Sequence, residues 1–310
     1  MFKTDGSQRP SGRKSSRTGL ERLDLAELHF AAEMPAGRYL KLAGRGTTFV
    51  REAEGPPGAS TILLVHGLFA SADLNWSLAI PELASAYRVV ASDLRGHGDG
   101  IRTRRFDAFE CADDLAAIVD ELNLGPVIVV GYSLGGLVAQ LFARRHPELV
   151  SGLVLCATAH NFAESGGGPM MRLMSRAALI MPEAIRRALM MAVLAPRSGG
   201  SQATWIMEQV GKHNTRSILQ AAAQATSFDS SDWLGTLATP SAVVLTAGDQ
   251  VVSAEVQREL CRVLGSPAVH ELEGDHFVCV KEPEVFNEAL VAACADVRDR
   301  ARRTVGQPVF

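Results

Sequence analysis

A serine, an aspartate and a histidine each stand directly after an apolar segment of this 310-residue chain. Ser133 follows PVIVV in the pattern G-Y-S-L-G, Asp249 ends SAVVLTAGD, and His276 follows AVHELEGD. A serine hydroxyl needs a neighbouring histidine to take its proton, and that histidine needs a carboxylate to orient it. These residue types, in this order along the chain, are therefore typical of nucleophilic catalysis through a covalent serine intermediate.

The glycines around Ser133 indicate a sharp turn. Gly131 and Gly135 stand two residues before and two residues after the serine, and Gly136 follows. A nucleophile on a tight strand-to-helix turn needs small residues there, because the backbone closes on itself. The next segment has a helical pattern as far as His146, so the serine would lie at a helix N-terminus, where N–H groups face a developing negative charge. The alternative is a glycine-rich turn that only packs.

Strand and helix patterns alternate on both sides of this turn. The apolar runs STILLV, YRVVAS, PVIVV, VSGLVL, SAVVLT and PAVHEL predict strands, and between them lie helical patterns such as CADDLAAIVDELNLG. This alternation predicts an α/β fold with a mostly parallel central sheet and helices on both faces. The carboxyl ends of parallel strands share one edge, where ligands bind, so Ser133, Asp249 and His276 are expected to meet there.

The alternation stops between His160 and about Trp233. This segment has helical patterns and contains seven of the nine methionines, so we interpret it as an inserted helical cap. The residues before the core are basic and rich in Ser and Gly, with too few apolar side chains to order themselves. The predicted division of the chain is a disordered basic tail at 1–35, a core at 36–159 and 234–297, a helical cap at 160–233 and a C-terminal tail at 298–310.

Three interpretations of the methionine-rich cap stay open. The methionines could form ordinary helix core, because the flexible thioether fills gaps. They could instead line an apolar pocket, in which case Met171 and Met174 are candidates for substrate contact. The arginines in the same segment leave a third alternative, peripheral contact of an interfacial helix with a membrane.

Five motifs resemble those of a known family. LLVHGLFAS, DLRGHG, GYSLGG, AGDQVV and GDHF occur in this order, and with them the chain resembles the α/β-hydrolase-fold superfamily over about Arg38 to Val297, the cap excepted. The resemblance is to the serine esterase-like branch with a helical cap. It implies that Ser133 is the nucleophile, His276 the general base and acid, and Asp249 the orienting acid.

The same resemblance implies an oxyanion hole made of two backbone N–H groups. One belongs to Leu134, the residue after the nucleophile, and the other to Leu68 in HGLFAS, with Phe69 as the neighbouring alternative. The side chains expected to line the substrate pocket are those of Phe69, Tyr132, Met171, Met174 and Phe277.

Several residues near these motifs have competing interpretations. Asp275 adjoins the histidine and Glu164 follows the preceding strand, so both are alternatives to Asp249 as the acid. Tyr132 is also a candidate for plain packing, with its hydroxyl satisfied by a neighbour. His66 is expected to make structural hydrogen bonds, and the DLRGHG segment is expected to form a loop-fixing turn without a catalytic role.

Composition restricts the functional class. The net charge of −3 gives no reason to expect nucleic acid as a partner, and no apolar run is long enough to span a bilayer. The five scattered cysteines include no C-x-x-C pair, which indicates free thiols in a reducing compartment. Without a signal-peptide pattern or metal-ligand spacing, a cytoplasmic protein without a metal or cofactor is expected. Oligomeric state is not readable from the sequence.

The expected function is hydrolysis of an ester-like bond in a small-molecule ester or acyl substrate, by a carboxylesterase. Lactonase, carbon–carbon hydrolase, perhydrolase and acyltransferase activities use the same serine and stay open. Dehalogenases and epoxide hydrolases of this fold are disfavoured, because they carry an aspartate at the nucleophile position. A ligand receptor or scaffold without turnover and a membrane-attached lipid enzyme are the remaining alternatives.

Overall fold

The computed structural model describes residues 28–30, 33–164, 177–194 and 201–306. Met171 and Met174, two of the predicted pocket residues, lie outside these ranges. The described strands form one eight-stranded sheet in the order β1-β2-β4-β3-β5-β6-β7-β8. Their bounds are β1 Gly37–Leu42, β2 Gly46–Ala53, β3 Thr61–Val65, β4 Arg88–Ser92, β5 Val127–Tyr132, β6 Val150–Cys156, β7 Ser241–Thr246 and β8 Ala268–Leu272.

The sheet is mostly parallel. Only β1 with β2, and β2 with β4, pair antiparallel, whereas β4, β3, β5, β6, β7 and β8 run parallel to their neighbours. Strands β3, β5 and β7 are buried along their whole length. A parallel strand covered on both faces needs such a continuous apolar run, which explains why these segments do not alternate polar and apolar residues.

Helices cover both faces of the sheet, as predicted. One face packs against α3, α4 and α8. The other packs against α1, α2, α9 and the long C-terminal helix α10. The bounds are α1 Ala72–Trp76, α2 Ala79–Ala84, α3 Ala108–Glu121, α4 Leu134–Arg145, α5 Glu183–Leu194, α6 Ser201–Gly211, α7 Thr215–Ala225, α8 Ala254–Leu264, α9 Val278–Lys281 and α10 Pro283–Gly306.

Helices α5, α6 and α7 lie in the chain between β6 and β7, where the sequence predicted an insertion; we call them the inserted helices. The two ends of the insertion meet at its base. Asn161 and Asp229 form an isolated β-bridge, and Ser230 N–H donates to the His160 carbonyl at 2.9 Å. The insertion therefore leaves and re-enters the core through one narrow stem. Among the described residues, no helix is long and apolar enough to cross a membrane.

The folded part of the chain extends into both predicted tails. At the N-terminal side, Leu28 is buried, His29 N–H donates to the Val280 carbonyl at 2.7 Å, and Phe30 packs edge-on against Trp205 at 5.0 Å. The side chains of Leu28 and Phe30 therefore pack on a surface formed by the core and α6. The predicted tail at 1–35 is therefore wrong for residues 28–30.

The C-terminal boundary at residue 298 is also wrong, because α10 continues to Gly306. Two arginines explain the continuation. The Arg298 guanidinium lies 5.5 Å from the centre of the Tyr87 ring, and Arg300 donates to the Ser266 carbonyl at 2.7 Å. These two basic residues of the predicted C-terminal tail therefore contact the core.

Candidate active site

Ser133 sits on a strained turn between β5 and α4. Its φ of 52° and ψ of −117° are unusual for a residue with a Cβ atom. Gly135 makes the turn sterically feasible, because a Cβ atom there would overlap the Val65 carbonyl oxygen. A Cβ atom on Gly131 would likewise overlap Gly135. The two glycines that flank the serine in the sequence therefore permit the approach of α4 to the ends of β3 and β5.

Ser133, His276 and Asp249 form one chain of hydrogen bonds. The Ser133 Oγ atom lies 2.9 Å from His276 Nε2, and His276 Nδ1 lies 2.7 Å from Asp249 Oδ2. Since a carboxylate only accepts, Nδ1 carries the proton and Nε2 is left to accept from the serine. The Asp249 side chain is fully buried and the His276 side chain is 10% exposed. The structure thus brings the three predicted residues together in the predicted order.

Asp249 is held by a set of donors around its carboxylate. Val251 and Val252 donate their N–H groups to Oδ1 at 2.8 and 2.9 Å, and the Thr246 hydroxyl donates to Oδ2 at 3.0 Å. Gln257 holds Thr246 in turn, since its amide donates to the Thr246 hydroxyl at 2.8 Å and accepts the Thr246 N–H at 3.1 Å. These donors fix the orientation of the Asp249 carboxylate towards His276.

Gln257 was missed by sequence reasoning. It is fully buried on α8, on the same side as Val256 and Leu260. A glutamine on the apolar side of an amphipathic helix is a polar group that must find a partner in the core. A buried polar position of this kind can be recognised in the sequence, but its partner, Thr246, is identified only by the fold.

The alternative acids do not replace Asp249 in this arrangement. Asp275 accepts the Phe277 N–H at 2.7 Å and pairs with the Lys281 ammonium at 2.9 Å, so its carboxylate serves the following turn. Glu164 ends a short 3₁₀ helix after β6, and its side chain lies outside what the structure describes. The histidine binds the carboxylate of Asp249.

Tyr132 packs beneath the histidine. Its hydroxyl donates to the His276 carbonyl at 2.8 Å, and its ring meets those of Trp76 and Phe286 edge-on at 6.0 and 5.7 Å. The residue is 3% exposed, which favours the packing interpretation over pocket lining. Phe277, another predicted pocket residue, is partly exposed and stands edge-on to the His276 ring at 5.9 Å.

The HGLFAS loop lies directly beside the nucleophile. A Cβ atom built on Gly67 would be 3.4 Å from the Ser133 Cβ atom. His66 fixes this loop as expected: its Nδ1 donates to the Gly67 carbonyl at 2.8 Å, and its Nε2 accepts the Leu94 N–H at 3.0 Å. Leu134 is the first residue of α4, so its N–H has no acceptor within the helix. The use of Leu68 and Leu134 as oxyanion donors stays a prediction.

Four buried ionisable groups lie behind this loop. Burial lowers the pKa of His66 to about 3 and that of His213 to about 4, and it lowers the pKa of His97 well below its usual value. Burial also raises the pKa of Asp93 to about 7, although two backbone N–H donors oppose the change. The folded protein therefore favours the neutral form of all four groups.

Stability should accordingly rise between pH 4 and about 6.5. In this range His66, His97 and His213 are protonated in the unfolded chain but neutral in the folded chain. Asp93 has the opposite effect, because it is protonated in the folded chain and ionised in the unfolded chain. The net difference of two protons makes the free energy of unfolding increase by up to about 2.7 kcal/mol per pH unit. Urea unfolding at half-unit pH steps measures this slope. His213→Gln should halve it, and a flat or falling profile would contradict the assignment.

Comparison with known proteins fits this architecture. A family model described as alpha/beta hydrolase fold matches residues 60–187. A Rhizobium rhizogenes protein with the provisional name carbamate hydrolase RutD is 30% identical over 249 residues, 76% of this chain and 92% of that protein. A pimeloyl-[acyl-carrier protein] methyl ester esterase of Neisseria meningitidis is 40% identical over 103 residues, 33% of this chain and 38% of that protein.

A solved esterase structure from Thermogutta terrifontis shares the fold, with a TM-score of 0.68 and 22% identity across 84% of this chain and 99% of that one. The match to the Rhizobium relative spans nearly the whole of that protein. The chain therefore belongs to the α/β-hydrolase-fold family. The two relatives described above are named as a carbamate hydrolase, provisionally, and as a methyl ester esterase. Folds host many reactions, so the substrate must be argued from the site.

Proposed function

We propose that this protein is a serine hydrolase that cleaves an ester-like bond through an acyl-enzyme. One observation carries the proposal, the continuous hydrogen bonding from Asp249 through His276 to the Ser133 hydroxyl, at 2.7 and 2.9 Å. A hydroxyl held on a positive-φ turn and hydrogen-bonded to an imidazole nitrogen is prepared for nucleophilic attack. The carboxylate behind the imidazole stabilises the imidazolium that forms during that attack.

The proposed reaction has two halves. Ser133 Oγ attacks the acyl carbon as its proton passes to His276 Nε2, and the N–H groups of Leu68 and Leu134 stabilise the oxyanion. The bond to the leaving alcohol breaks as His276 returns that proton to the alcohol oxygen, which leaves an acyl ester on Ser133. Water then attacks this ester while His276 takes its proton, and the serine oxygen recovers the proton as the carboxylic acid departs.

A small or lipophilic acyl substrate fits the surroundings. The partly buried Phe277 adjoins the His276 ring. Met190, Met191 and Trp205 of the inserted helices pack against the apolar cluster that contains Tyr132. We include in the proposal that residues 160–233 form a cap over the core at 36–159 and 234–297. All five cysteines are free thiols, which supports a reducing, cytoplasmic location as part of the proposal.

Carboxylesterase activity is the specific form we favour. The relatives named as a methyl ester esterase and as a carbamate hydrolase would both act on an acyl carbon that carries a heteroatom leaving group. Lactonase activity is the cyclic version of the same step. Carbon–carbon hydrolase, perhydrolase and acyltransferase activities keep the serine but change the leaving group or the acceptor, so product analysis separates them.

The test is turnover of p-nitrophenyl esters from acetate to palmitate, with and without prior treatment by a fluorophosphonate. We expect hydrolysis with a distinct chain-length optimum. We also expect a phosphonyl adduct on Ser133 by peptide mass spectrometry, as the serine oxygen displaces fluoride, and loss of activity in proportion to labelling. Background rates on every ester and no adduct on Ser133 would overturn the proposal in favour of a ligand receptor or scaffold.

A further inference from the structure

His213 connects the inserted helices to the loop beside the nucleophile. It lies in the turn between α6 and α7 and is fully buried. Its Nδ1 accepts the N–H of Gly98 at 2.8 Å, so the proton is on Nε2, which donates to the Phe69 carbonyl at 3.1 Å. Burial keeps the pKa of His213 at about 4, so the imidazole stays neutral and holds both bonds at neutral pH.

Phe69 is a residue that needs such support. Its φ of 60° is unfavourable for a side chain that carries a Cβ atom, and such strain persists only where the surroundings fix it. It follows Leu68, whose N–H is the proposed oxyanion donor. The bond from His213 fixes the carbonyl of this strained residue itself.

The other side of Leu68 is fixed by a second histidine. His66 donates to the Gly67 carbonyl at 2.8 Å, and that carbonyl belongs to the same peptide group as the Leu68 N–H. One histidine of the core and one of the insertion therefore hold the loop on either side of Leu68. The His97 ring lies between them, with ring centres 5.3 Å from His66 and 5.7 Å from His213, and so fills the space behind the loop.

The turn that carries His213 is docked by other contacts that do not involve Phe69. The Lys212 ammonium pairs with Asp99 at 2.8 Å, and the Asn214 N–H donates to the Gly96 carbonyl at 3.0 Å. Arg102 donates to the Lys212 carbonyl at 3.1 Å. These bonds join the turn to the DLRGHG loop and its continuation, so the bond to the Phe69 carbonyl is not needed merely to attach the insertion.

We propose that His213 is a positioning residue for the oxyanion hole, through which the inserted helices hold the Leu68 N–H in its working orientation. The proposal rests on the proposed function above. Loss of the bond to Phe69 frees the loop to relax its positive φ and turns the donor away from the oxyanion. Because the oxyanion exists only after attack, the effect falls on kcat far more than on KM.

The experiment compares three variants with the wild type on one p-nitrophenyl ester. His213→Leu removes both bonds, whereas the amide of His213→Gln can still accept from Gly98 and donate to Phe69. Lys212→Met is the matched control, since it breaks the adjacent ion pair and leaves Phe69 untouched. We expect His213→Leu to lower kcat about 10- to 100-fold with KM within about 3-fold, and the other two variants to stay within about 3-fold of wild type.

Two results would overturn the inference. One is an unchanged kcat in folded His213→Leu. The other is an equal loss of kcat in Lys212→Met, which would show that the effect comes from attachment of the insertion and not from the bond to Phe69. If His213→Leu does not fold, His213→Ala with and without added imidazole takes its place, and absence of rescue counts against the proposal. A wild type without esterase activity would overturn the proposed function itself, so the two failures are distinguishable.

Discussion

Ser133→Ala should lower kcat for ester hydrolysis by about 10⁴-fold or more. The substitution removes the one oxygen that the turn presents to His276 Nε2, at 2.9 Å, and leaves no atom to form the acyl ester. The backbone should survive, because the turn is held through main-chain atoms of residue 133: its N–H donates to the Cys156 carbonyl at 3.0 Å and its carbonyl accepts the Thr158 hydroxyl at 2.7 Å. Residual catalysis would come from the oxyanion donors and from substrate binding alone.

The measurement is steady-state hydrolysis of the best p-nitrophenyl ester, with thermal unfolding as the test of integrity. Ser85→Ala is the matched control, since that exposed serine ends α2 and its hydroxyl donates to the Glu82 carbonyl of the same helix. It should retain full activity. More than a tenth of wild-type kcat in folded Ser133→Ala would show that another group is the nucleophile.

Asp249→Asn should lower kcat by about 10⁴-fold while the protein stays folded. An asparagine amide facing His276 Nδ1 favours the wrong imidazole tautomer, with Nε2 protonated towards the serine and unable to accept its proton. The substitution also removes the negative charge that stabilises the imidazolium. The N–H groups of Val251 and Val252 would still hold the side-chain carbonyl oxygen in the place of Oδ1, so the fold should survive and the loss is one of chemistry.

Asp275→Asn provides the comparison, because this neighbour of the histidine is the alternative acid from the sequence. Its carboxylate is engaged with Phe277 and Lys281, so we expect kcat within about 3-fold of wild type. Rates and pH profiles of both variants should be collected on the same ester. The reverse order of effects would transfer the role of the acid to Asp275. Small effects in both variants would direct attention to Glu164.

The sequence predicted the sheet and the meeting of Ser133, Asp249 and His276 because both depend on local patterns. A buried parallel strand requires an apolar run, a sharp turn requires Gly131 and Gly135, and parallel strand ends share an edge. The structure therefore reproduces the fold class and the order of the three residues. The roles assigned to Leu68, Leu134 and the pocket side chains still await experiment.

Other features depend on partners far away in the chain. His213 is 144 residues from Phe69, and no local pattern signals that pair. The sequence predicts a C-terminal tail from residue 298, yet Arg298 contacts Tyr87 and Arg300 the Ser266 carbonyl on the core, and the helix continues. Such contacts require the folded surface, so composition alone misplaced the end of the domain.

The stem at the base of the insertion allows the inserted helices to change in evolution without a change in the core. At this stem the outgoing segment, His160 and Asn161, is hydrogen-bonded to the returning segment, Asp229 and Ser230. Closing a longer or shorter loop between fixed ends changes the free energy only slowly with length. Insertions, deletions or a wholly exchanged helix set above this stem would leave β6 and β7 in register. The chemistry at Ser133 would then stay constant while the inserted helices change. The bond from His213 to Phe69 is the feature that a transplanted helix set would have to recreate.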